Sequence, residues 1–263
     1  MPEGDAVRRT AARLDRALAG GTLLRADLRV PRFSTTELVG AEVIGTEVVG
    51  KHLLTRMLLD GRPVTLHHHL RMDGRWATGP AQARPLAGPA HQIRAWLATT
   101  QASAIGLRIT MIEVVRTADE GRLIGHLGPD ILADAWDAQA VAERVRQQGQ
   151  RPLVEALLDQ RVLSGLGTIW ASETAFSAGA TPWTPAQGVD DLAAALHTTR
   201  AAMQRSVAVK RRSDLPSYSV YGRLGQPCRV CGAPIRSGRA GAAPTDRITY
   251  FCPSCQAGPA SPQ

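Results

Sequence analysis

Four cysteines constrain the fold of this chain more than any other feature. They form two Cys-x-x-Cys pairs, Cys228 with Cys231 and Cys252 with Cys255, separated by twenty residues. Two such pairs at this separation are typical of tetrahedral zinc sites. Because four thiolates complete the coordination shell, the sequence predicts one structural Zn²⁺ rather than a catalytic one. The alternative is four unrelated free thiols.

The residues between the two pairs are expected to form a β-hairpin, with Thr249–Phe251 as its returning strand. The hairpin carries Arg236, Arg239 and Arg247. Arginines on a metal-held hairpin suit the binding of phosphates in a nucleic-acid groove. The alternative for each arginine taken singly is a solvated surface charge.

The charge balance points to a polyanionic partner. The chain has 263 residues, a formal net charge of +8 and a pI of about 10.1, which favours nucleic acid. Simple solubility of an Arg-rich chain is the alternative. We find no signal peptide and no apolar stretch long enough to cross a bilayer. We therefore expect a cytoplasmic, nucleoid-associated protein without a membrane partner, in which clustered cysteines hold metal rather than form disulfides.

Periodicity predicts one helix followed by many short strands. Apolar residues recur at spacings of three and four from Pro2 to about Leu18, which predicts a helix. Short β-rich runs separated by glycine turns then suggest a β-sandwich. The runs are Thr22–Val30, Glu42–Val49, His52–Leu58, Val64–His69, Ile93–Ala98 and Leu107–Val115. An exposed loop is expected at Gly79–Pro89.

The second half of the chain has helical patterns. They cover Asp134–Gln148, Pro152–Leu158, Thr168–Ser177 and Val189–Ala208. A basic linker begins at Lys210–Arg212. The turn Gly165–Thr168 lies between two helices, with Thr168 expected as N-cap. Free backbone N–H groups at such a helix start can bind a phosphate, although most turns of this kind bind nothing.

Six stretches in a shared order resemble the formamidopyrimidine-DNA glycosylase/endonuclease VIII (Fpg/Nei) family of bacterial base-excision enzymes. They are Met1–Gly4, Gly50–Leu54, His69–Gly74, Leu127–Asp130, Leu166–Glu173 and Val220–Gln256. The resemblance implies an α+β multidomain fold with DNA bound between its halves. The expected domains are an N-terminal helix plus β-sandwich (1–125), a helix–two-turn–helix domain (126–215), a C-terminal zinc-ribbon-like finger (216–257) and a tail (258–263). We expect a monomer.

The resemblance also implies catalytic roles. Pro2, exposed once Met1 is removed, is the expected nucleophile, and Glu3 beside it the general acid/base. Lys51 is expected to contact the DNA backbone at the lesion and to assist elimination. Arg247 is expected to grip the phosphates around the flipped nucleotide.

Five further residues are expected to contact DNA. Met72 resembles the side chain that fills the gap left by the extruded base, and Arg71 lies beside it. His91 and the turn residues Gly167 and Thr168 are expected at phosphates.

Local patterns leave other interpretations open. Proline at the first helical position followed by acids is what any helix start prefers, so Pro2 and Glu3 could be structural. Lys51 alone could be a surface lysine, and Met72 could belong to the core. The adjacent histidines His67–His69 alternate faces on a strand and so cannot all bind one ion.

The residue types suit Schiff-base chemistry. An α-amine with a pKa of roughly 7.7–8.0 is partly neutral near pH 7 and can attack C1′ of deoxyribose. The resulting iminium acidifies the C2′ hydrogens, which permits β- and δ-elimination. We therefore expect a bifunctional DNA glycosylase/AP lyase that acts on DNA with oxidised bases or abasic sites.

Two departures from the family pattern bear on the substrate. Thr168 stands where many members have Asn. The Asp-Arg-Arg-Phe-Gly loop that probes the opposite strand in the family is absent, and Ile112–Thr117 stands in the equivalent region. Its loss favours the endonuclease VIII-like branch and oxidised pyrimidines. The alternatives are the 8-oxoguanine and formamidopyrimidine branch, and a zinc-finger DNA-binding protein without catalysis.

Overall fold

A computed structural model describes residues 2–81, 88–209, 212–214, 217–244 and 246–260. Met1 lies outside these residues, as do parts of the predicted loop Gly79–Pro89, the linker Lys210–Arg212 and the tail 258–263. The chain divides into two compact units. The first comprises Pro2 with residues 6–126, and the second comprises Glu3–Asp5 with residues 127–260.

Helix α1 (Gly4–Leu18) supplies an apolar stripe to the first unit. Its residues Val7, Leu14 and Leu18 are each at most 1% exposed, because apolar positions three and four apart share one helix face. Helix α1 begins at Gly4, so Pro2 and Glu3 precede it and the predicted start at Pro2 is two residues early.

Eight antiparallel strands form two four-stranded sheets in the first unit. The strands are β1 (Arg25–Leu28), β2 (Glu42–Val49), β3 (His52–Leu59), β4 (Arg62–His69), β5 (Arg75–Pro80), β6 (Ile93–Ala98), β7 (Ala102–Leu107) and β8 (Met111–Arg116). One sheet has the order β1-β6-β7-β5, and the other has the order β2-β3-β4-β8. The side chains of α1 and of both sheets share one hydrophobic core, as expected of an α+β fold. A short helix, α2 (Gly121–Ile124), follows β8.

The predicted single strand Leu107–Val115 is two strands in the structure. Strand β7 ends at Leu107 and β8 begins at Met111. Arg108 between them has a φ of 52°, a left-handed conformation that ends a strand. Residues 112–116 pair with β4, so the region equivalent to the absent loop, Ile112–Thr117, is a strand over most of its length.

Four helices build the core of the second unit. They are α3 (Ala138–Arg146), α4 (Leu153–Leu158), α5 (Thr168–Ser177) and α6 (Leu192–Ala208). The side chain of Asp137 caps α3 by accepting the N–H groups of Gln139 and Ala140, a favourable helix start. Helix α5 is buried on several faces, which is typical of a helix surrounded by packing partners. None of the helices in the described part of the chain is long and apolar enough to span a membrane.

A β-hairpin completes the second unit. Its antiparallel strands are β9 (Arg236–Ala240) and β10 (Arg247–Phe251). The side chain of Trp183 donates to the backbone oxygen of Arg239 at 2.9 Å and packs edge-to-face on Phe251. The hairpin is therefore fixed to the helical part of its unit by both a hydrogen bond and ring packing.

Candidate active site and metal centre

The carboxylate of Glu3 lies at the N-terminus of α5. Its side chain accepts the backbone N–H groups of Gly167 at 2.9 Å, Ile169 at 2.8 Å and Trp170 at 3.2 Å. Glu3 is only 2% exposed. Three N–H donors and the positive end of a helix dipole stabilise a carboxylate anion. Glu3 is thus held in one place by three N–H groups that favour its anion.

This arrangement corrects the expectation for the turn before α5. The N-cap is Gly167 rather than Thr168, and no side chain of the turn caps the helix. A Cβ on Gly167 would lie 2.5 Å from the carboxyl carbon of Glu3, so only glycine admits this approach. The N–H groups expected to bind phosphate at Gly167 and the following turn are largely engaged by Glu3.

Three further hydrogen bonds hold the segment Glu3–Asp5. The Gly4 N–H donates to the Gly165 carbonyl at 2.9 Å. The buried carboxylate of Asp5 accepts from Trp170 Nε1 at 3.1 Å and from Ser206 Oγ at 2.5 Å. Sequence reasoning missed these three side chains, because no local pattern links positions so distant in the chain.

Lys51 is buried in the first unit. It follows Gly50, which has a φ of 60°, in the turn between β2 and β3. Lys51 is 6% exposed, so it is not an ordinary solvated lysine. Lysine side chains are rarely buried unless they are paired with another group. Burial and then the charges of Arg71 and Lys51 lower the pKa of His69 to about 4, which keeps His69 neutral near pH 7.

The histidines of β4 alternate between the two faces of the sheet as predicted. His52 Nδ1 and His67 Nε2 lie 2.8 Å apart, and the His69 ring packs on His52 on the same face. On the other face, Trp76 Nε1 donates to the buried His68 Nδ1 at 3.1 Å. Burial, followed by the neighbouring histidines, lowers the pKa of His52 to about 3. The pKa values of His67 and His69 are lowered too, so all three rings are uncharged near pH 7.

The predicted DNA-contacting residues of the first unit lie on its surface. Met72 is 65% exposed, so the alternative that it belongs to the core is wrong. Arg71 is exposed and has a φ of 53°. His91 is exposed, and its backbone oxygen accepts from Arg94.

Helix α5 also holds the strand that begins with Arg247. The hydroxyl oxygens of Ser172 and Thr249 lie 3.1 Å apart. The carboxylate of Glu173 accepts the N–H groups of three consecutive residues, which are Ser219, Val220 and Tyr221. One helix therefore contacts the Glu3–Asp5 segment, the hairpin and the chain that leads into the cysteines.

The four cysteines form the one group of metal-ligand side chains found among the described residues. Their sulfur atoms lie within 4.8 Å of one another. The Cys228 and Cys255 sulfurs are 3.9 Å apart, and those of Cys231 and Cys252 are 3.5 Å apart. A tetrahedral zinc with Zn–S bonds of about 2.3 Å requires S–S distances of about 3.8 Å. The geometry therefore fits a four-thiolate metal site.

Two family models match the chain. The model described as the formamidopyrimidine-DNA glycosylase N-terminal domain matches residues 1–110, and the one described as the formamidopyrimidine-DNA glycosylase H2TH domain matches residues 127–215. Together the two matches cover most of both units.

Two curated relatives match over nearly their whole length, and a third matches over three quarters of it. A probable endonuclease 8 2 of Streptomyces coelicolor is 45% identical, covering 99% of this chain and 95% of the relative. A DNA-(apurinic or apyrimidinic site) lyase Nei2 of Mycolicibacterium smegmatis is 37% identical, covering 97% of this chain and 99% of the relative. A formamidopyrimidine-DNA glycosylase of Gloeobacter violaceus is 34% identical, covering 76% of this chain and 75% of the relative.

A solved structure shares the fold. It is the complex between Lactococcus lactis Fpg and DNA that contains an abasic site. The TM-score is 0.80 at 22% sequence identity, and the match covers 98% of this chain and 100% of the other. At this identity the likeness concerns the fold alone.

Proposed function

The chain belongs to the Fpg/Nei family of bifunctional DNA glycosylases and AP lyases, and we propose that it excises oxidised pyrimidines through a Schiff base on Pro2. The observation that carries this proposal is the buried carboxylate of Glu3, fixed by three backbone N–H groups directly beside Pro2. The start of a helix does not need a buried carboxylate fixed in this way. A reaction that transfers protons beside an N-terminal amine does need a carboxylate held in a defined position.

In the proposed reaction the Pro2 amine attacks C1′ and the base departs with the electron pair of the glycosidic bond. The furanose ring then opens: the C1′–O4′ bond breaks, O4′ takes the electron pair and a proton, and the nitrogen forms an iminium that withdraws electrons from C2′. Loss of a C2′ proton expels the 3′ phosphate by β-elimination, and a second proton loss expels the 5′ phosphate by δ-elimination. Water hydrolyses the iminium and restores the amine. The mechanism requires removal of Met1.

Glu3 carries protons in this scheme. Because its hydrogen bonds favour the anion, Glu3 first acts as a base and takes the proton that the Pro2 nitrogen loses on attack. The same proton then passes to the sugar oxygen or to the departing base, as general acid catalysis requires. The carboxylate is thereby restored for the next step.

We assign DNA contacts to both units. Lys51 and Arg247 neutralise the phosphates beside the lesion and stabilise them as leaving groups. Met72 fills the gap that the extruded base leaves in the DNA base stack. The 65% exposure of Met72 supports this assignment. Arg71 and His91, both exposed, bind neighbouring phosphates.

The turn before α5 keeps a smaller role at DNA. The N–H groups of Gly167, Ile169 and Trp170 donate to Glu3, and residues 164–167 are buried, so phosphate is left with the half-buried Thr168. We therefore assign Gly167 chiefly to Glu3 and Thr168 to DNA.

We assign a structural Zn²⁺ to the four cysteines, supported by the sulfur distances. The metal holds the segment that carries Arg247. No open coordination position remains for catalysis.

The preference for oxidised pyrimidines is supported by the strand connection between β7 and β8. Only Arg108–Thr110 lie between these strands, so the chain lacks room there for a loop that reads the opposite base. The oxidised-purine branch is the second candidate, because one relative at 34% identity is named formamidopyrimidine-DNA glycosylase. A non-catalytic zinc-finger protein is not supported by relatives named as endonuclease and lyase.

Borohydride trapping tests the chemistry. Wild-type protein lacking Met1 is expected to form a covalent adduct with abasic-site DNA, and Pro2→Gly is expected to form none. Absence of an adduct with correctly processed wild-type protein would refute the enzyme assignment. Duplexes with thymine glycol or with 8-oxoguanine opposite cytosine separate the two branches, and faster cutting of the latter would overturn the pyrimidine preference.

A further inference from the structure

Asp5 is a buried carboxylate to which the chemistry above assigns no role. It is 4% exposed, and its oxygens accept hydrogen bonds from Trp170 Nε1 at 3.1 Å and from Ser206 Oγ at 2.5 Å. Burying a charge is costly unless its partners compensate. A helix start on the surface would gain from an acid without burying it. The burial of Asp5 therefore calls for a second explanation.

Trp170 links Asp5 to Glu3. Its backbone N–H donates to Glu3 at 3.2 Å, while its indole N–H donates to Asp5 at 3.1 Å. Gly4 between the two acids donates its N–H to Gly165. Glu3, Gly4 and Asp5 are thus each hydrogen-bonded to α5 or to the turn before it. Ser206 adds a hydrogen bond from α6.

We propose that Asp5 is a positioning residue of the active site, which acts through Trp170 and Ser206 to fix the Glu3 carboxylate and the adjacent Pro2. This inference rests on the function proposed above. An attacking amine and a proton carrier must be held to within a fraction of an ångström, and a misplacement of about 1 Å can cost on the order of a hundredfold in rate. The hydrogen bonds of Asp5 supply this constraint from helices α5 and α6.

The experiment measures the single-turnover rate of borohydride-trapped adduct formation on saturating abasic-site DNA, together with the Kd for the same DNA. Asp5→Ala, Trp170→Phe and Ser206→Ala are expected to lower the rate, Asp5→Ala by about ten- to a hundredfold, with Kd unchanged within about twofold. Asp5→Asn should recover most of the rate. Its amide oxygen can accept from Trp170 and its amide nitrogen can donate to the Ser206 hydroxyl.

Thr199→Val is the matched control. It removes the hydrogen bond between Thr199 and Thr174, 2.8 Å long, which joins the same two helices without touching the Glu3–Asp5 segment. The control is expected to lower the thermal unfolding temperature and to keep the wild-type rate. The double variant Asp5→Ala/Trp170→Phe should be no slower than the slower single variant, because both act through one contact.

Three results would overturn the role of Asp5. The first is an adduct-formation rate in Asp5→Ala and Ser206→Ala equal to that of wild type. The second is a rate loss in Thr199→Val as large as that in Asp5→Ala. The third is a rate loss in the double variant equal to the product of the losses in the two single variants. Wild-type protein that forms no adduct would refute the proposed function itself, and the role of Asp5 with it. Adducts from wild type with unchanged variants would refute the positioning role alone.

Discussion

The Glu3 carboxylate occupies the place where a side chain at position 167 would begin. Gly167→Ala would put a Cβ 2.5 Å from the Glu3 carboxyl carbon, so the carboxylate must move or the turn must open. We expect the rate of trapped-adduct formation to fall by about ten- to a hundredfold. The stability of the protein should change much less, because the clash is confined to one movable side chain.

Gly188→Ala is the control for this substitution. A Cβ at Gly188 would meet nothing within 4 Å, and the change would reduce unfolded-state entropy in the same way. Its adduct-formation rate should equal that of wild type. If Gly167→Ala reacts as fast as Gly188→Ala, Glu3 does not need its observed position.

His68 makes stability depend on pH. Burial, then the neighbours His67 and His69, lower its pKa from 6.5 to about 3. Between these values the unfolded chain binds a proton that the folded protein excludes. The free energy of unfolding therefore falls as pH falls through this range, by about 1.4 kcal/mol per pH unit for one such histidine.

Urea unfolding near pH 7 and near pH 5.5 tests this linkage. His68→Gln should be less stable than wild type near neutral pH, because it disturbs the hydrogen bond from Trp76. Its further loss on acidification should be smaller by about 1.4 kcal/mol. The exposed His197→Gln should follow wild type. If acidification lowers the free energy of unfolding equally in wild type and in His68→Gln, the pH dependence does not come from His68.

For single residues, the sequence predicted a site correctly where the spacing of the residues along the chain was sufficient evidence. The two Cys-x-x-Cys pairs predicted a metal cluster, and the sulfurs do converge. Local pattern could not reveal the burial of Lys51 or Asp5. The partners of Asp5 lie 165 and 201 residues away in the chain, and only the fold brings them together.

Secondary structure was predictable where the apolar period is unbroken. The bounds of β6 (Ile93–Ala98) and α5 (Thr168–Ser177) match the predictions. Strand β5 (Arg75–Pro80) was missed, since its alanine, glycine and proline give weak β signals. The break at Arg108 was missed because a residue other than glycine adopts the left-handed conformation there.

The cysteine-held element should depend on metal more than the helices do. Its own core is small and consists of Val220, Ile235, Cys228 and Cys252 with a few partly buried neighbours, too little to fold alone. We expect a strong chelator to release one zinc per chain and to abolish adduct formation. The far-UV signal of the helices should remain.

Zinc release is measured with a colorimetric indicator alongside circular dichroism. Cys231→Ser should reproduce the loss of activity without chelator, and Ser254→Ala, in the same segment, should not. Full activity of a demonstrably zinc-free protein would contradict a structural role for the metal.

The net charge of +8 belongs to the whole molecule and predicts DNA binding that weakens with salt. Arg247→Ala should lower affinity and reduce the slope of log K against log salt by about 1, if Arg247 contacts one phosphate. Arg239→Ala is the control, because Arg239 already pairs with Asp246. Equal slopes for wild type and Arg247→Ala would exclude this contact.

The family and the fold class were predictable from the whole chain, since six motifs kept their order over its length. The orientation of Glu3 was not, because it depends on a helix start in the other half of the sequence. The monomeric state and the nucleoid association stay predictions, and sedimentation of the purified protein tests the first of them.

The hydrogen bonds of Glu3–Asp5 have a consequence for the order of synthesis. These residues are made before their partners, because Trp170 and Ser206 follow Asp5 by 165 and 201 residues. At typical elongation rates that interval is on the order of ten to forty seconds. During it the Glu3–Asp5 segment has none of these partners, which leaves it accessible for the removal of Met1 that the proposed mechanism requires. Maturation of the proposed nucleophile would then precede completion of the site that holds it.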